Sequence, residues 1–307
     1  MISTKCPGQD TRYWTAEDIH EEPCPHCGAC DRISAIKPNV EKRVRMGLKK
    51  CGHCKKQFTV KVGTVFEHAR MPLNKMLQAV YLLTSGKKGI SAHQLHRTLE
   101  VTYKTAWFLA HRIREAMRSG DLAPFGAGGG FVEVDETYIG RVKGVEKRAG
   151  YQHKMKVLSL LDRNTGRTRM MHVEKVTAAA LTPILKANIA AEADLLTDDA
   201  GYYKRMHLHF ASHGTTMHSK GNYVSRVNPE IHTNTIEGSF SIFKRGMKGV
   251  YQHCGEAHLH RYLAEFEFRY NYRIANGYQD QQRSVEALKG IVGKRLAYKS
   301  VDLPATA

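Results

Sequence analysis

Between Met71 and Arg118 apolar residues recur at three- and four-residue intervals, the period of helices with one buried face. The pattern predicts a first helix over Leu73–Leu83, stopping at Ser85-Gly86. A second helix starts at a Ser91 cap and runs through Leu95 and Leu99, and a third runs from a Thr102 cap to Met117. In the third, Ala106, Ala110, Ile113 and Met117 form the buried stripe, with Lys104, His111, Arg112, Arg114 and Arg118 largely off it. At Phe131 the period drops to two: Val132 and Val134 face one way, Glu133 and Asp135 the other. Further strands are predicted at Val157–Leu161 and Thr168–Val173, joined through the turn Asn164-Thr-Gly166. A helix over Ala178–Ala190 and a short buried strand, Asp194–Thr197, ending at Asp198-Asp199, come next. From His232 to Gly249, Ile236, Phe240, Phe243 and Met247 give a last helix its apolar face, while Glu237 and Lys244 share another side two turns apart.

Composition narrows the partner. The 307 residues carry 47 Lys and Arg against 29 Asp and Glu, a net charge of +18, which points to a polyanion and first of all to nucleic acid. No apolar run approaches the roughly 18 residues that span a bilayer. The start, Met-Ile-Ser-Thr-Lys-Cys, has no hydrophobic core of a secretion signal, so a cytoplasmic protein with no membrane partner is expected. In that reducing compartment cysteines are metal ligands or free thiols rather than disulfides.

Six of the seven cysteines precede residue 55. Cys24-Pro-His-Cys27 and Cys51-Gly-His-Cys54 are two C-x-x-C knuckles, and four thiolates from two short turns suit one structural Zn²⁺ with no open position for chemistry. Cys6 and Cys30 are left spare. The segment Pro124–Gly130 has linker composition. The predicted plan is multidomain α+β: a zinc ribbon over 1–62, a helix-turn-helix-like DNA-binding segment over 63–123, a linker over 124–130, an α/β core over 131–290 and a tail over 291–307. In the helical segment the basic side of the third helix would enter a major groove.

The chemistry lies after the linker. Three strands, a helix and a further strand bearing an acid is the order of RNase H-like domains, whose first and fourth strands are neighbours. Asp135 and Asp198 would then meet. With Glu237 they could hold two Mg²⁺ or Mn²⁺ ions for in-line attack on a phosphodiester, while Lys244, Arg245 and Lys248 hold the backbone. Glu133 or Glu136 rival Asp135, and Asp199 rivals Asp198. The bland alternative for the helix start is a capping box, with Asn234 as cap and Glu237 reaching back.

Val132–Gly140, Thr197–Tyr203, His218–Tyr223, His232–Phe240 and Phe268–Arg273 resemble, in order, segments of bacterial insertion-sequence transposases of the "IS-fifteen-ninety-five" type, which carry a zinc ribbon and a DDE-like core. The resemblance implies Asp135 and Asp198 as catalytic aspartates and Lys244 as the downstream basic residue. It leaves Asn234 as the alternative to Glu237 at the third position. An anionic oxygen favours Glu237. His218 and His232 are open to DNA contact or packing. The implied activity is binding of terminal inverted repeats, cleavage and strand transfer into target DNA, by at least a dimer on double-stranded DNA. A silent DNA-binding regulator and a nuclease without strand transfer are the alternatives.

Overall fold

The computed structural model describes residues 23–120, 123–147, 150–216, 224 and 228–296. It divides into two compact units, Met1–Met71 with Ile291–Ala307, and Pro72–Gly290. Cys6, His218–Tyr223 and Leu303–Ala307 lie outside the described residues.

In the first unit β1 (Ile33–Ala35), β2 (Lys49–Cys51) and β3 (Gln57–Phe58) form an antiparallel sheet with β2 in the centre. Strands this short bury little. The core is Cys24, Cys51 and Phe58, with Ile33, Cys54 and Val62 packed on it, and a core of that size needs a staple. The stretch expected to be a tail begins as part of this unit. Val65 N donates to Ile291 O at 3.0 Å and Gly293 N to Gly63 O at 2.8 Å.

The second unit opens with α1 (Leu73–Ser85), α2 (Ala92–Leu99) and α3 (Tyr103–Met117). The expected caps are in place: Ser91 Oγ accepts from Gln94 N at 3.1 Å and Thr102 Oγ1 from Thr105 N at 3.2 Å. There follow β4 (Phe131–Ile139), β5 (Met155–Asp162), β6 (Arg167–Val173), α4 (Ala178–Asn188), β7 (Asp194–Asp198), β8 (Ser212–Thr216), α5 (Asn234–Gly246), α6 (Glu256–Asn271) and α7 (Asp280–Lys289). The sheet order is β6-β5-β4-β7-β8, antiparallel through β6, β5 and β4 and parallel through β4, β7 and β8. That is the RNase H-like order.

The sheet is covered on both sides. Val132, Val134, Leu158 and Leu160 pack on Leu181 and Leu185 of α4. On the other face Ile139, Val157 and Met170 meet Phe243 of α5 and Leu263 and Phe266 of α6. α5 and α6 approach closely at Gly246, where a Cβ would come within 2.4 Å of Phe266 Cζ. α6 also closes an edge. Asn271 bonds both Thr168 N (2.7 Å) and Thr168 O (2.9 Å), and Glu267 accepts from Met170 N (3.0 Å), so β6 presents those groups to side chains rather than to another strand.

The boundary expected at 124–130 does not separate compact units, because the three helices share a core with the sheet domain. Arg114 of α3 pairs with Glu265 of α6 at 2.6 Å, both side chains buried, and Arg283 of α7 donates to Thr84 O of α1 at 3.0 Å. The supposed linker is itself packed: Phe125 is buried, and its N donates to Asn188 O at 2.9 Å.

Candidate active site

β4 carries acids on both of its faces. Phe131, Val132 and Glu133 pair in parallel with Asp194, Leu195 and Leu196 of β7, and the same register two residues on sets Asp135, midway along β4, beside Asp198, the last residue of β7. Asp198 is half-buried and accepts from Ala200 N at 3.1 Å, whereas its rival Asp199 is exposed. α5 lies over this end of the sheet. Ile236, Phe240 and Phe243 are buried as their spacing predicts, and Glu237 and Lys244 turn to one side. Asp135, Glu136, Glu237, Lys244 and Arg245, with Phe240 and Ser241, line one open cleft of about 460 Å³. Asn234 is exposed at the first position of α5 and is not part of the cleft lining. Lys248 is exposed in the π-helical turn, Met247–Tyr251, that continues α5.

The electrostatics of the cleft are those of crowded anions. Burial, reinforced by Glu136, Asp198 and Glu237, pushes the Asp135 carboxyl up to about 8. Burial likewise lifts Glu136 to about 7, opposed by hydrogen bonds from Tyr203 and Tyr202. A hard divalent cation relieves such a cluster, and its oxygen-only donor set is the one Mg²⁺ and Mn²⁺ prefer.

The two glutamates beside Asp135 have other duties. Glu133 is fully buried, and its Oε1 accepts from Arg163 Nε at 2.6 Å while its Oε2 accepts from Ile236 N at 2.8 Å. It therefore satisfies an amide at the start of α5 that a capping side chain would otherwise take. Thr233, the residue before the helix, makes no such cap, and the capping box with Asn234 does not form. Arg163 also donates to Glu230 O (2.6 Å) and His232 O (2.8 Å), which fixes the approach to α5. His232 is packed against this guanidinium, Nδ1 to Nη2 at 2.8 Å. Glu136 is held on the opposite face by Tyr202 and Tyr203. The Tyr-Tyr pair stands in a segment the sequence singles out. Arg163 carries no local signal, since its partners lie 30 to 69 residues away.

The first unit holds the second site. The Sγ atoms of Cys24, Cys27, Cys51 and Cys54 all lie within 4.8 Å of one another, the one such group of metal-capable side chains among the described residues. Hydrogen bonds from the Cys54 and His53 amides help draw the Cys51 thiol down to about 6, which suits a thiolate ligand.

The basic face expected on α3 needs correction. His111 and Arg114 are buried against α6, and Arg112 is half-buried with its guanidinium 4.9 Å from the Phe108 ring. Lys104 and Arg118 stay exposed at the two ends. The reason is electrostatic pairing across the core: Glu265 receives Arg114 and Arg269, which hold its carboxyl below the usual range against the pull of burial. Burial, with Arg114 and Arg261 nearby, drives His111 down to about 2. Its folded pKa lies below the unfolded 6.5, so stability is complete above about pH 6.5. It falls on acidification by up to about 1.4 kcal/mol per pH unit. Urea unfolding at pH 7 and pH 5 should show acidification costing wild type about 2 kcal/mol more than it costs His111→Gln. Equal slopes in both would place the acid sensitivity elsewhere.

Residues 128–271 match the family model of the ISXO2-like transposase domain. The chain is 28% identical over 260 residues to an uncharacterized protein in transposable element ISH50 of Halobacterium salinarum, covering 80% of this chain and 84% of that one. Among solved structures it is similar to the catalytic core domain of BIV integrase (13% identity, 52% of this chain and 95% of that chain, TM-score 0.31). It is also similar to the Drosophila P element transposase strand transfer complex (10% identity, 73% and 64%, TM-score 0.28). Among the described residues no helix is long and apolar enough to cross a membrane. Motif order, strand topology and the family match together support reading residues 128–271 as an ISXO2-like transposase domain, the catalytic part of a DNA transposase.

Proposed function

We propose that the protein binds the terminal inverted repeats of its element, cleaves DNA at the element ends and joins the resulting 3′-hydroxyls to target DNA, all by phosphoryl transfer at Asp135, Asp198 and Glu237. The acidic cleft that β4 and α5 line, with the Asp198 carboxylate of β7 near enough to Asp135 to help raise its pKa, carries this reading. The three carboxylates would hold a pair of Mg²⁺ or Mn²⁺ ions, which when bound supply activation of the attacking oxygen and stabilisation of the departing one. The chain's own cations orient the DNA. Lys244 and Arg245 at the cleft take the phosphodiester beside the break, and Lys248 extends that line. Glu133 and Arg163 hold the start of α5, and Tyr202 and Tyr203 fix the Glu136 carboxylate by hydrogen bonds. The ribbon, with one Zn²⁺ on its four cysteines, and the exposed Lys104 and Arg118 would grip the ends, two chains pairing two ends.

The test is strand transfer with Mg²⁺, the element's own ends and a plasmid target. Joined products should disappear in Glu237→Gln and persist in Asn234→Ala. Loss in Asn234→Ala alone would give the third position to the amide. End binding by wild type without cutting or joining, in Mg²⁺ or Mn²⁺, would make the protein a silent regulator. Cys51→Ser should lower bound zinc from one ion per chain toward none and unfold the ribbon. Unchanged zinc content would show that the ligand set is wrong.

A further inference from the structure

We propose that the groove between α4 and the two short 3-10 turns after β7, Gly201–Tyr203 and Met206–Leu208, seats the phosphodiester backbone of duplex DNA leaving the acid cleft. The proposal rests on the transposase reading and adds to it a surface and the chemistry of what lies there. The groove measures about 790 Å³. Lys186, Lys204, Arg205 and His209 line it together with Tyr202 and Met206, and no carboxylate does.

Charge separates this groove from an ordinary solvated face. Several buried and half-buried arginines elsewhere in this unit are matched by acids: Arg163 by Glu133, Arg114 by Glu265 and Arg261 by Glu115. Even exposed Lys289 is tied to Glu286 at 2.7 Å. Lys186, Lys204 and Arg205 are exposed and have no ion pair among the described residues. Their positions are nonetheless fixed. Lys204 and Arg205 sit between Tyr203 and Met206, each only 1% exposed, so two anchored neighbours hold the adjacent cations at the groove. Lys186 comes from α4, whose first turn adds Ala178 and Ala179 to the wall and with them the positive end of the helix. Like charges held together without acids store repulsion that a row of phosphates relieves.

The groove is continuous with the cleft through one side chain. Tyr202 lines the groove, and its hydroxyl donates to Glu136 Oε2 at 3.1 Å, while Glu136 lines the acid cleft. A strand whose reacting phosphate lies beside Asp135 leads over Tyr202 onto Lys204 and Arg205.

The experiment uses the full chain and a fluorescein-labelled duplex of about 30 base pairs, with anisotropy read from about 50 to 200 mM salt. Lys204→Gln/Arg205→Gln should weaken binding at least about tenfold at the low-salt end and make the slope of log K against log salt shallower by about 2. Adding Lys186→Gln should take the change to about 3, and Lys204→Arg alone should retain the wild-type slope. Thermal unfolding of each variant should match wild type, since all three side chains are exposed. A wild-type slope in the folded triple variant overturns the groove and leaves the transposase reading standing. Failure of wild type itself to bind duplex overturns both.

Discussion

Asp135→Asn should lower cleavage by about three orders of magnitude or more and, in metal-free protein, raise the melting temperature. Loss of one carboxylate from a metal pair removes several kcal/mol of transition-state stabilisation, and each 1.4 kcal/mol is about tenfold in rate. The gain in stability has the opposite origin. Asp135 is driven up to about 8 by burial and by Glu136, Asp198 and Glu237. Its folded pKa exceeds the unfolded value near 4, so the folded state binds the proton more tightly. Without metal, stability falls as pH rises from about 4 to about 8, by an amount on the order of a few kcal/mol. Asparagine keeps the shape and removes the charge. Thermal unfolding in chelator at pH 5 and pH 7.5 should show wild type losing stability at the higher pH relative to the variant and recovering it with Mg²⁺. The variant should also be much less responsive to Mg²⁺. A wild-type Mg²⁺ response in the variant would remove Asp135 from the ligand set.

The elements that local pattern announces are the ones the structure contains. Ser91 and Thr102 cap their helices, Val132 and Val134 face the core, and α5 buries Ile236, Phe240 and Phe243. Each is a statement about neighbours within two turns of helix or along one strand. The meeting of Asp135 with Asp198 is not local, but it follows once the strand order is known, because parallel register then fixes it. Other features depend on partners that the pattern cannot point to. α6 buries Glu265, Glu267, Arg269 and Asn271 as well as Leu263 and Phe266, so no period separates an inner from an outer face. β8 is Ser-His-Gly-Thr-Thr, a polar edge strand with no alternation to read. The charged side of α3 reads as a DNA-binding face for the same reason: the acid that neutralises Arg114 stands 151 residues away. Glu133 and Asp135 are indistinguishable by alternation, and only Arg163 and the start of α5 tell anchor from ligand.

That distinction carries the second large effect. Glu133→Ala should destabilise the protein by about 3–5 kcal/mol and slow cleavage even at temperatures where the variant is folded. Glu133 is fully buried and Arg163 is 17% exposed, so truncation leaves a mostly buried guanidinium without its counter-charge. It also strands Ile236 N, a loss of about 1–3 kcal/mol that overlaps the first because both act through one side chain. The rate effect is geometric. Ile236 is the residue before Glu237, and a misplacement of about 1 Å at a reacting group costs roughly a hundredfold. Glu133→Gln separates the two contributions: its amide oxygen can still accept from Ile236 N, while the charge opposite Arg163 is gone. It should lose stability yet keep more of the cleavage rate than the alanine variant. Urea unfolding, paired with cleavage rates measured below both transitions, reads the two effects apart. An alanine variant that unfolds early but cleaves at the wild-type rate would mean that the packing of Phe243 and Met247 against α6 is enough to aim α5. Glu133 would then be an anchor of the fold and not of the site.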